Sequence, residues 1–198
     1  MTKLEETLTI LDFYGKRIKG KNDFLLKNKS FDLGACIKEN LSLGKSTNET
    51  SIICKDKIVQ IHTYFSMNII DLTSFIDEYD NKFDITVTEN KIIAKRINNF
   101  KVENKNLKKK INWNKLKNIR NTVFAHNLRN KNNNYRLSIN ELFEANSMFN
   151  NLNDFTSMII CFNEFFDQFQ NEFQDEIKIG YESFKSEYEK LKLEKKQR

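Results

Sequence analysis

The stretch NDFTSMIICFNEFFDQFQNEF, residues 153–173, decides the fold class. Phe155, Ile159, Phe162, Phe166, Phe169 and Phe173 recur along it at steps of three and four. That period gathers them on one face of an α-helix and leaves polar residues on the other. The same pattern runs back through Leu152, Phe149, Ala145 and Leu142 to Ser138 and Glu141. Ser138 with Glu141 reads as a capping box, in which hydroxyl and carboxylate satisfy free N–H groups of the first turn. At 1.5 Å per residue the predicted element is roughly 50 Å long, with room for a bend near NNLND.

Two more capping boxes stand upstream, Thr2 with Glu5 and Ser46 with Glu49. The first opens a helix carrying Leu4, Leu8, Leu11, Tyr14 and Ile18, and Gly15 and Gly20 predict its end near residue 19. Residues 22–45 carry no clear period beyond a short helix around GACIKENL. A long helix follows over 48–80, with Ile58, His62, Phe65, Ile69, Leu72, Ile76 and Tyr79 as its stripe. KFDITVTENKII alternates like a strand pair around Glu89-Asn90, so a small β-hairpin is expected near 83–93, unless this piece opens a helix. NNFKVENKNLKKK reads as a polar connection, residues 113–130 as a helix, and 180–198 as a charged C-terminal helix. Striped helices joined by polar connections pack as a bundle. The expectation is therefore one all-α domain over 1–198, a bundle of about five helices.

Composition agrees. Seventeen phenylalanines can fill a core, and five glycines with no proline leave helices uninterrupted. An AT-rich coding bias accounts for part of this composition, but not for where the residues fall. No apolar run reaches the ~18 residues that span a bilayer, and the acidic, amphipathic N-terminus is no signal peptide. A cytoplasmic protein without membrane attachment is expected. Cys36, Cys54 and Cys161 show no CxxC spacing, which favours reduced thiols over a disulfide framework or zinc site. No metal ligand set, Gly-rich phosphate loop or βαβ pattern is present, so no metal and no cofactor is expected.

The net charge of +6 conceals an asymmetry. Residues 91–136 hold fourteen Lys or Arg against one acid, Glu103, whereas residues 137–177 hold eight acids and no Lys or Arg. A basic block of this kind fits a polyanion such as RNA, with Lys108, Lys109, Lys110, Lys115, Lys117 and Arg129 as candidate contacts. Two plainer readings stand beside it: a solvated segment, or a basic face paired with the acidic helix that follows.

Inside that block lies KLKNIRNTVFAHNLRNK, residues 115–131. On a helical wheel Trp113, Leu116, Ile119 and Val123 form its apolar side. Arg120 and Asn127 fall within that sector, His126 at its edge, and Asn121 on the outer face. A guanidinium there needs either a carboxylate partner, such as Glu141 or Asp71, or a polar cleft to face. His126, like His62, is equally readable as a packed core residue.

IRNTVFAHN resembles the signature of the HEPN superfamily: Arg120, the polar Asn121 directly after it, a short spacer and His126, all on one helix of a small bundle. The flanking FAHN, with Asn127, is similar to HEPN proteins of bacterial abortive-infection and toxin–antitoxin systems. The resemblance implies an endoribonuclease that needs no metal. Two protomers of a homodimer would line one cleft with both Arg-His pairs, and the ribose 2′-OH would attack the adjacent phosphate. Arginine can hold phosphate oxygens with two donors, and histidine can exchange protons near neutral pH. An antitoxin protein is then an expected partner besides RNA. Some members of the superfamily are noncatalytic, so an RNA-binding or protein-interaction module is the alternative.

Overall fold

The computed structural model describes residues 1–28, 30–114, 116 and 152–196. Among them are seven α-helices, one short 3₁₀ turn and no strand. The all-α expectation holds. The first two capping boxes form as their spacing predicts. The Thr2 hydroxyl accepts from the Glu5 N–H while the Glu5 carboxylate accepts from the Thr2 N–H, starting α1 (Lys3–Lys27). After α2 (Leu33–Ser42), capped by Asp32, the Ser46–Glu49 pair repeats this exchange at the head of α3 (Thr47–Asn81). The third box, Ser138 with Glu141, lies outside the described residues. The remaining helices are α4 (Lys91–Glu103), α5 (Lys105–Lys110), α6 (Leu152–Glu172) and α7 (Gln174–Lys196).

Four expectations are corrected. The hairpin near 83–93 is absent. Asp84 accepts from the Thr86 N–H at the 3₁₀ turn Ile85–Val87, and Asn90 accepts from the Ile92 and Ile93 N–H groups at the start of α4. Side chains that cap locally take up the donors a strand ladder would use. The polar connection over 98–110 is likewise helical, because Ile97 and Phe100 bury one face of α4. The first helix does not stop near residue 19. Gly15 is buried where a Cβ would collide with the Phe166 ring, so it serves the close approach of α1 to α6 rather than a helix end. Cys36 and Cys54 are joined in a disulfide between α2 and α3, with Cα atoms 6.2 Å apart, and only Cys161 is a free thiol. Sequence spacing could not show this, since the pairing arises from two helices folding back on each other.

The core is built on Phe75 of α3. Phe162, Phe165, Phe166 and Phe169 of α6 meet its ring edge-to-face at centroid distances of 5.3–6.3 Å. Leu8, Leu11 and Ile18 of α1 and Leu72, Ile76 and Tyr79 of α3 are fully buried in the same cluster. Over Leu4 to Ile18 of α1, Phe65 to Tyr79 of α3 and Ile159 to Phe169 of α6, the stripes read from sequence are therefore the core-facing sides. Polar links cross this core. Asn68 donates to Asn22, and Asn22 donates to Asn163, at 2.7 Å each. Asp71 is held by Lys21 and, at 3.1 Å, by Arg17. Buried directional contacts of this sort favour one register of α1 against α3 and α6. Among the described residues no helix is long and apolar enough to cross a membrane.

Candidate functional site

The basic segment enters the description as α4, α5 and the turn into residue 113. Asn112 takes φ 56°, a left-handed conformation that asparagine tolerates better than most residues. The turn lets Ile111, Trp113 and Leu116 bury together while Asn114 stays exposed. The sequence wheel placed Trp113 and Leu116 on the apolar side, and these two described positions agree with it.

Asp80, near the end of α3, organises the surface above them. Its carboxylate accepts from Trp113 Nε1 at 3.0 Å and pairs with Lys108 Nζ at 3.1 Å. The Lys108 ammonium also lies over the Trp113 and Tyr79 rings, 4.6 and 4.8 Å from their centroids. Lys101 approaches the same Tyr79 ring from α4, at 5.1 Å, and the Phe83 ring at 5.6 Å. Lys105, Lys109, Asn112 and Asn114 complete a cleft of about 430 Å³ with Lys101, Lys108, Asp80 and Trp113.

Four ammonium groups thus share a cleft lined by one carboxylate. Burial, and then the neighbouring Lys108 charge, hold the Lys101 pKa below the ordinary lysine value. An anion seated between the two lysines would relieve that repulsion and accept hydrogen bonds from several donors. Trp113 is only 4% exposed and its N–H is already donated. The cleft can therefore hold phosphate through lysine and asparagine donors, but it presents no open ring on which a base could stack.

Of the predicted contacts, Lys108 and Lys109 line this cleft. Lys110 does not; its charge acts on the Cys161 thiol across α5 and α6. Lys115, Lys117, Arg120, Asn121, His126, Asn127 and Arg129 lie outside the described residues, as do Glu141 and the His62 side chain. Lys101 and Lys105 were missed, although Lys101, Lys105 and Lys108 recur at steps of four and three. Treating 98–110 as a connection hid that helical period. Arg96 follows the plainer expectation: it pairs with Glu172 at 2.7 Å and Glu176 at 2.5 Å, linking the basic segment to the acidic stretch after it. Asp71, considered above as a partner for Arg120, has its charge matched by Lys21 and Arg17.

Comparison with protein-family models, with curated proteins and with solved structures finds no match for this chain. The HEPN resemblance rests on the motif residues alone.

Proposed function

We propose that the chain binds RNA through the Lys101–Lys105–Lys108–Lys109 cleft and cleaves it, without a metal, with Arg120 and His126. The observation that carries the reading is the lysine cleft, which opens immediately before the Arg-His motif in the chain. In this reading the lysines hold flanking phosphates and Arg120 stabilises charge on the phosphate that reacts. His126 exchanges a proton with the 2′-OH or with the leaving 5′-oxygen. A homodimer with residues 113–130 near its axis would supply the second histidine, giving one base and one acid per cleft. A bacterial defence or toxin–antitoxin setting, with an antitoxin protein as partner, belongs to the same reading. The noncatalytic alternative draws on the cleft too, because its lysines provide binding and no proton-transfer group.

The experiment is RNA cleavage with excess EDTA by wild type, His126→Ala and His62→Ala. Wild type is expected to cut despite the chelator and to leave 2′,3′-cyclic phosphate ends. His126→Ala should lose roughly 10²- to 10⁴-fold in rate, while His62→Ala stays near normal. RNA that binds tightly to the wild-type dimer but is never cut would leave the binding-module reading in place of the nuclease.

A further inference from the structure

The C-terminal part of α7 leaves the body of the molecule. Every residue from Phe184 to Lys195 is exposed, and Phe184, Tyr188 and Leu191 are exposed by 54%, 56% and 58%. About 20 Å of helix therefore stands with four large apolar side chains in water, Leu193 being the fourth, and Phe184, Tyr188 and Leu191 share one face. A segment this short is marginal as an isolated helix, so packing of its apolar face is what would stabilise it.

The spacing says what shape of surface covers it. Ile177, Tyr181, Phe184, Tyr188 and Leu191 follow steps of four, three, four and three, the seam of a coiled coil. The seam is rooted in the bundle at its start. Ile177 is buried, and the Tyr181 hydroxyl donates to Asp12 of α1 at 2.9 Å. Beyond that root the start of the chain reaches α7 at Glu187 through the Met1 amine, and Phe184, Tyr188 and Leu191 stay exposed.

The flanking charges say which partner fits. One side of the seam carries Lys178, Lys185 and Lys192, and the other carries Glu187 and Glu194. In a parallel pair each flank meets the opposite flank of its partner, which places Glu187 of each copy beside Lys192 of the other. In an antiparallel pair like flanks meet, lysine against lysine and glutamate against glutamate. Glu187 also accepts from the Met1 amine, yet its side chain remains half exposed and able to take a second cation. We propose that the projecting end of α7 is a self-association surface, which pairs in parallel with α7 of a second copy of this chain. The proposal is independent of the RNA reading and uses none of its residues.

The test is performed on the full chain. Leu191→Cys should form a covalent dimer under mild oxidation, because a parallel seam brings position 191 against itself. Wild type, which retains Cys161, is the control. Glu187→Lys and Lys192→Glu should each weaken association about tenfold by replacing two attractions with two repulsions. An equimolar mixture of the two should recover wild-type affinity, since both crossed pairs become complementary. Lys192→Glu leaves the Met1–Glu187 contact intact, which separates pairing from any disturbance of the N-terminus. Unchanged helical circular dichroism will establish that the variants fold. A monomer at high micromolar concentration would overturn the proposal. So would a dimer that fails to cross-link at 191; that second outcome leaves the residue 113–130 interface untouched.

Discussion

Gly15 and Gly20 sit five residues apart on one helix and act oppositely. A Cβ at Gly15 would penetrate the Phe166 ring, whereas a Cβ at Gly20 meets nothing within 4 Å. Gly15→Ala must push α6 away from α1 or force Phe166 off its rotamer, an overpacking cost of about 1–3 kcal/mol. Gly20→Ala adds no contact and removes backbone freedom from the unfolded chain, which stabilises by about 0.4–1 kcal/mol. Urea unfolding of the two variants should show midpoints displaced in opposite directions. If both variants are destabilised alike, Gly15 is not the contact point between α1 and α6. The pair also shows what a sequence conceals at this scale. Both glycines look like helix terminators, and only the neighbour above Gly15 reveals that it is a packing position.

Among the elements, legibility follows the source of the stabilising contact. α1 and α3 were readable because their stability is written locally, in capping boxes and single apolar stripes, and α6 was readable from its stripe. The 83–93 region was misread because Asp84 and Asn90 cap turns whose competitor, a two-stranded hairpin, has the same apolar alternation. Of the candidate site, Lys108 and Lys109 were legible as charge. Lys101 and Lys105 needed the knowledge that 98–110 is helical, as the end of α4 and as α5, and the role of Asp80 needed the packing of α3 beside Trp113. The α2–α3 disulfide was not legible at all. It is also the main restraint on α2, whose only buried residue is Asn40. Closing a chain separation of 18 residues should stabilise by roughly 3 kcal/mol through the unfolded state. Reduction is therefore expected to lower the melting temperature and to expose residues 30–45 to protease while α3 and α6 stay resistant. Equal cleavage rates with and without dithiothreitol would mean that α2 is held by its packing alone.

Across the whole molecule the basic and acidic halves are only partly matched. Arg96 ties α4 to Glu172 and Glu176, and Lys108 is held by Asp80, so these two cations have protein partners. Lys105 and Lys109 are exposed in the cleft, while Lys91 and Lys95 are exposed on α4 outside it. That division separates a shaped site from diffuse positive charge. Each phosphate neutralised releases counterions, so on single-stranded RNA the logarithm of affinity should fall with log salt by about 0.7 per contact. Lys105→Ala with Lys109→Ala should make that slope shallower by about 1.4, and Lys91→Ala with Lys95→Ala should leave it nearly unchanged. Lys108 is the wrong residue to reverse, because a glutamate there would face Asp80 and disturb the Trp113 anchor before it disturbed RNA. Fluorescence anisotropy over a salt series, with one RNA of mixed sequence and a second of scrambled order, measures both slope and sequence dependence. A cleft that reads phosphate rather than bases should bind the two RNAs alike. Equal loss of slope from both lysine pairs would mean that the block acts as a diffuse field, and the cleft would lose its claim to be the binding site.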